Sequence, residues 1–197
     1  MRKKLIYGDI GGTKTLLQLV ELRGGEIHQQ FSKRYDSSAF VTFPDMLRDF
    51  LNQTGTVNHP VAACFAVAGP IVAQQAKLTN LPWQISSTGI SDEFSIPAVK
   101  LINDFEAAAL AIESLSPNDL LTLQTGQIHA QETRVVLGAG TGMGVAWLIW
   151  LEGRYFALST EAGHMDFAPV NELQIHLFKA LHNKFGHVSV ERLLSGS

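Results

Sequence analysis

Two stretches of this chain repeat one pattern: an apolar strand runs into clustered glycines and emerges as a second strand. The first is "GDIGGTKT", Gly8–Thr15, which begins in the last residues of the strand-like Lys4–Ile10. The second is "LGAGTGMGVAWL", with glycines at 138, 140, 142 and 144. A strand–glycine–strand start in each half predicts two α/β domains, over 1–115 and 116–197. A cleft between domains is where small ligands usually sit. Tight glycine turns also bring backbone N–H groups close together, and such concavities hold phosphate. The bland alternative for each is a hairpin turn with no ligand, because glycine supplies turn geometry everywhere.

Neither turn is a familiar nucleotide fingerprint. "TKT" lacks the glycine that a Walker A motif needs before its lysine. In the second turn Met143 and Val145 fall where G-x-G-x-x-G would place its last glycine. What the turns do offer is Asp9 beside the first, placed to hold Mg²⁺ through water, and Thr13, Lys14 and Thr141 as side-chain donors.

Between the turns, "LLQLVEL" and "IHQQFSKRY" read as strands joined by "RGGE". Phe40, Phe43, Leu47 and Leu51 mark a helix. "HPVAACFAVAGPI" reads as a buried strand, and "LTNLPWQIS" as loop. After "SLSPND" come three strands, "TRVVLGAG", "MGVAWLIWLEG" and "RYFALS", then a helix marked by Leu173, Leu177, Ala180 and Leu181 and a short helix in "VSVERLL". Trp147 and Trp150 read as core or interface.

"VKLINDFEAAALAI", Val99–Ile112, passes from strand to helix through Asn103-Asp104. Phe105, Ala108, Ala109 and Ile112 share one helical face. A carboxylate at the end of a buried strand is either a helix cap or a chemical group. Taken alone, Asp104 is more often the cap than a chemical group; where it serves chemistry, Asn103 would be the cap. In "EAGHMD", Glu161, His164 and Asp166 lie close enough to suggest a metal, but Gly163 and Pro169 argue against the helix such a site needs.

At 197 residues and 46% hydrophobic composition, the chain can build a substantial core. A net charge of −3 without long charge runs points away from nucleic acid and anionic membranes. The apolar part of "MRKKLIYGD" is interrupted by Asp9, so it does not read as a signal peptide. Cys64 is the one cysteine, which suits a reducing cytoplasm.

Taken in order, "GDIGGT", "LTNLPW", "LINDFEAAALAI", "GAGTGMGVA", "EAGHMDFAP" and "GHVSVERLLSG" resemble the bacterial glucokinase family nearly end to end. The resemblance implies an α/β actin-like ATPase (ribonuclease H-like) fold, with a small domain and the beginning of a large one. It implies ATP-dependent phosphorylation of glucose with Mg²⁺, and a homodimer. It also implies that Asp104 is the base and that Asn80, Asn103, Asp104, Glu161, His164 and Glu191 contact the sugar. Asp9, Gly11, Gly12, Thr13, Gly140, Thr141 and Gly142 would then hold ATP phosphates. Lys14, Thr15 and Leu16 depart from the family's usual Asn, Ala and Arg. The family also continues beyond "LLSG", so the chain looks like an N-terminal portion. The competing expectations are a kinase for N-acetylated amino sugars and a non-catalytic sugar-binding regulator. The first commonly carries a cysteine-rich zinc motif and the second a DNA-binding domain ahead of the first strand, and this sequence has neither.

Overall fold

A computed structural model describes residues 3–55, 60–78, 81–127 and 129–196. The chain divides into two compact units, Met1–Ala107 and Ala108–Ser197.

The first unit is organised by a five-stranded sheet. Its strands are β1 (Lys3–Ile10), β2 (Lys14–Arg23), β3 (Glu26–Asp36), β4 (Ala62–Val67) and β8 (Ala98–Asn103), in the order β3-β2-β1-β4-β8. β1, β2 and β3 form antiparallel hairpins. β1, β4 and β8 run parallel, with Ile10 beside Val67 and Val67 beside Asn103. Helix α1 (Phe43–Gln53) covers one face. Thr42 caps it by accepting from the Asp45 N–H at 3.2 Å, and Pro44 fits its first turn. Phe43, Met46, Leu47 and Phe50 are wholly buried, with Phe43 edge-on to Phe65 at 5.1 Å. The helix starts at Phe43; the residue expected to open it, Phe40, precedes the Thr42 cap.

"LTNLPWQIS" is not all loop. A small sheet, β5-β6-β7, is formed by β5 (Ile71–Val72), β6 (Gln75–Lys77) and β7 (Gln84–Ser86). Buried Trp83 anchors the segment by donating from Nε1 to Phe40 O at 3.3 Å. α2 (Ser87–Phe94) follows β7, and α3 (Asp104–Ala111) follows β8. The four-residue face expected on α3 is corrected: Ala109 is its buried residue, and Ile112 lies in a 3-10 turn. Cys64 is half-buried, and that burial pushes its thiol pKa up.

The second unit holds an antiparallel sheet, β11-β10-β9, from β9 (Arg134–Ala139), β10 (Met143–Leu151) and β11 (Arg154–Thr160). Helices α4 (Glu172–Phe185) and α5 (Val190–Leu194) follow. Val135, Trp147 and Leu158 lie side by side across the three strands, and all are exposed. Trp150 packs edge-on against Tyr155 at 4.9 Å.

One buried polar contact links the first core to the first glycine turn. Ser37, wholly buried, donates to Gly11 O at 2.9 Å and shares a 3.0 Å hydrogen bond with buried Thr15. Removing a buried hydroxyl leaves its partners unsatisfied, a cost of about 1–3 kcal/mol. Ser37→Ala is therefore expected to destabilise the protein by about that amount in urea unfolding. Thr15→Val added to Ser37→Ala should cost less than the two single losses summed, because the pair shares one bond. Full additivity contradicts the shared contact.

Candidate functional site

In the first unit, parallel pairing aligns the C-terminal ends of β1, β4 and β8. Open α/β sheets place ligands at such ends. The first glycine turn leaves β1 here. Its Gly11 N–H donates to Lys14 O at 3.0 Å, and a Cβ on Gly11 would sit 2.8 Å from that same oxygen, so the turn closes only with glycine. Ser37 N–H donates to Thr13 O at 2.9 Å, bracing the turn from β3's side. The N–H groups of Gly12 and Thr13 have no partner among the described residues, so they are the donors left for a ligand.

At the end of β8, Asn103 and Asp104 divide the work. Asn103 Oδ1 accepts from the N–H groups of Phe105 at 2.9 Å and Glu106 at 3.2 Å, which is the N-cap of α3. Its Nδ2 donates to Gly69 O at 3.2 Å. Asp104 is thereby released from capping. Its side chain is exposed, and Oδ1 accepts from the Phe105 N–H at 2.8 Å, leaving Oδ2 without a partner among the described residues. Asp9 lies in the next row of the same sheet end, beside Ala66, which pairs with Ile102. Asp9 is exposed, but partial desolvation by the groups around it and, after that, the Asp104 charge raise its pKa from the ordinary value, and Arg34 partly opposes this. Arg34 reaches it because Asp9, Leu16 and Arg34 form one row across β1, β2 and β3. Asn80 lies outside the described residues.

In the second unit, the other glycine turn joins β9 to β10. Gly140 N–H donates to Gly142 O at 2.8 Å within the turn, so the N–H groups of Thr141 and Gly142 are those without a partner among the described residues. Glu191, from the first turn of α5, accepts from the Met143 N–H at 2.9 Å. A Cβ on Gly142 would meet the Glu191 carboxylate at 2.8 Å, so the carboxylate rests against the turn because residue 142 has no side chain. His164 lies between carboxylates, with Nδ1 3.6 Å from Glu191 and Nε2 3.7 Å from Glu161. Ser189 caps α5 through the Arg192 N–H, and Gly196 N–H returns to Gly140 O at 2.8 Å. Asp166 turns away to His187 at 2.7 Å. No group of three or more His, Cys, Asp or Glu that could hold a metal occurs among the described residues.

Sequence reasoning missed Ser37 and Gln74. Both act through partners far away in sequence, so neither belongs to a local pattern. Gln74 contacts the backbone of Leu101 from both ends of its side-chain amide.

Comparison with known proteins fits this arrangement. The family model for glucokinase matches residues 6–197. A glucokinase of Nostoc sp. is 45% identical over 195 residues, covering 98% of this chain and 57% of the relative. The crystal structure of a glucokinase from an Antarctic psychrotroph superposes with a TM-score of 0.85 at 34% identity, covering 98% of this chain and 61% of that one. A glucokinase structure from Balamuthia mandrillaris supports the fold alone, with a TM-score of 0.70 at 24% identity, covering 99% and 60%. The fold is the actin-like ATPase α/β fold of these enzymes, and the chain spans little more than half the length of the curated relatives it matches. From its matched residues and its fold, the chain belongs to the glucokinase family.

Proposed function

We propose that this chain carries the sugar and phosphate sites of an ATP-dependent glucokinase, which transfers the γ-phosphoryl group of ATP to the 6-hydroxyl of glucose. The observation that carries the reading is the division at the end of β8: Asn103 caps α3, and Asp104 keeps an exposed carboxylate oxygen without a protein partner among the described residues.

Glucose is neutral and covered in hydroxyls, so recognising it takes several fixed donors and acceptors. Asp104, Glu161 and Glu191 accept, and His164 donates or accepts according to tautomer. Asn103 has one Nδ2 proton on Gly69 O, and its second is the one available to a sugar. Asn80 belongs to the same proposed set. In the reaction, Asp104 Oδ2 accepts the hydrogen bond of the 6-hydroxyl and orients it in line with the γ-phosphorus. The O6–P bond forms, the bond from phosphorus to the β–γ bridging oxygen breaks, ADP departs, and the hydroxyl proton passes to Asp104. The free N–H groups of Gly12, Thr13, Thr141 and Gly142 are fixed dipoles for phosphate oxygens, in turns built with Gly11 and Gly140.

Mg²⁺, when bound, supplies positive charge at the phosphate oxygens. Asp9 suits holding it through water: it is exposed, its carboxylate is disfavoured by partial desolvation and by Asp104, and a cation would offset both. A site with one or two carboxylates, completed by nucleotide phosphates and water, fits the lack of a larger ligand cluster among the described residues. Among those residues no helix is long and apolar enough to cross a membrane. A cytoplasmic home and a homodimer accompany the proposal, the first supported by Cys64 as the one cysteine and the second by family resemblance.

A coupled assay over a panel of sugars tests the reading. Glucose is expected to be phosphorylated in preference to N-acetylmannosamine, and the reverse order overturns the substrate. Asp104→Asn should lower kcat by about 10²–10⁴-fold while glucose affinity stays near wild type. Retained turnover removes Asp104 as the base.

Asp9 gives a pH prediction. A raised carboxylate pKa means that the folded state holds the proton to higher pH than the unfolded state does. Stability from this group is therefore present at low pH and lost as pH rises through the ordinary carboxylate value toward the folded one. Asp9→Asn should raise Tm at pH 7 and leave it nearly unchanged at pH 3. A gain confined to low pH contradicts the electrostatic account.

A further inference from the structure

The turn between β5 and β6 is built against local preference. Ala73 and Gln74 both have positive φ, 48° and 58°, the left-handed region that favours glycine or asparagine. Val72 pairs with Gln75 across this two-residue turn. Backbone held this way persists only where its surroundings over-determine it.

The surroundings here are specific. Gln74 Nε2 donates to Leu101 O at 3.2 Å, and Leu101 N–H donates to Gln74 Oε1 at 2.9 Å. The side-chain amide thus pairs with the outer edge of β8 as a neighbouring strand would. β8 is the last strand of its sheet, so this edge has no strand beyond it. Gln74 O also accepts from the Ser87 N–H at 3.1 Å, joining the turn to the start of α2. Two residues beyond Leu101, Asn103 donates to Gly69 O, which precedes β5. The stretch from Gly69 to Gln74 is therefore tied to the last three residues of β8 at its start and at the turn of the hairpin.

We propose that Gln74 is a positioning residue for the sugar site: its amide fixes the end of β8, and through it Asn103 and Asp104, against the β5–β6 hairpin. It touches no substrate itself. Leu78 N–H donates to Trp83 O at 3.2 Å, which joins the residue after β6 to the one before β7. Losing the clamp leaves the Asn103–Gly69 bond as the remaining side-chain tie between the hairpin and the end of β8, which loosens the hydroxyl contacts assigned to Asn103 and Asp104. The inference rests on the proposed sugar site.

Gln74→Gly tests it without confusing strain with clamping. Glycine accepts the positive φ and removes only the side chain. If the residue mattered for turn geometry alone, Gln74→Gly would be neutral or stabilising. The proposal expects a rise in hydrogen exchange at the Leu101 amide and about tenfold weaker glucose binding by calorimetry, the size of one lost hydrogen bond in a network. Nucleotide affinity should stay at the wild-type value. Gln74→Glu, which keeps the acceptor for Leu101 N–H and loses the donor, should fall between the two. Unchanged glucose affinity in Gln74→Gly overturns the proposal, as does an equal loss for glucose and nucleotide. If the wild-type protein binds no glucose, the functional reading fails on its own, and the clamp is then judged from the Asn103 side-chain amide by NMR. A shifted, faster-exchanging Asn103 resonance in Gln74→Gly supports the positioning role, and an unmoved one refutes it.

Discussion

Everything proposed for the first unit depends on the parallel pairing of β1, β4 and β8. Their shared register sets Ile10, Val67 and Asn103 side by side, so a glycine turn, a strand end and a helix start open on one edge. Parallel strands present successive chain exits at the same end of a sheet, where antiparallel hairpins alternate them. That brings Asp9 and Asp104, far apart in sequence, close enough for the charge of one to raise the pKa of the other.

At that edge, two adjacent polar residues have separate tasks. α3 needs its first N–H groups satisfied, and a lone aspartate there would be engaged as the cap. Asn103 takes the cap without charge, which leaves Asp104 an ionisable oxygen facing solvent. The second unit solves a related problem differently. Glu191 is held against the β9–β10 turn by the Met143 N–H and the absence of a side chain at Gly142, while His164 lies between it and Glu161.

Much of this was legible in the sequence because it is local. The strand–glycine–strand starts, the strand-to-helix passage through Asn103-Asp104 and the core face of α1 are period and turn signals within a few residues. That one of Asn103 and Asp104 caps the helix was readable for the same reason, but which one was not: on the residues alone Asp104 was the better candidate, and the structure gives the cap to Asn103. The small sheet was not, since β5, β6 and β7 are two or three residues long and show no repeating period. The polar run of α2 also gave no helical face, with Ser87 and Ile90 its buried residues. Ser37 and Gln74 were hidden for a third reason: each acts across the fold, on Gly11 and Thr15 or on Leu101, and nothing in its own neighbourhood marks it. Gly140 shows the limit at finer scale, because the glycine spacing marked the turn but not which of its N–H groups would be turned inward.

The central claim is that Asn103 holds the helix so that Asp104 can meet a sugar hydroxyl. Carbon-13 NMR of aspartate-labelled protein during a glucose titration tests it most directly. The account predicts that the Asp104 carboxyl resonance moves to saturation with the sugar while the Phe105 and Glu106 amides, held by the cap, keep their protection. An Asp104 signal that ignores glucose while other residues respond would contradict it.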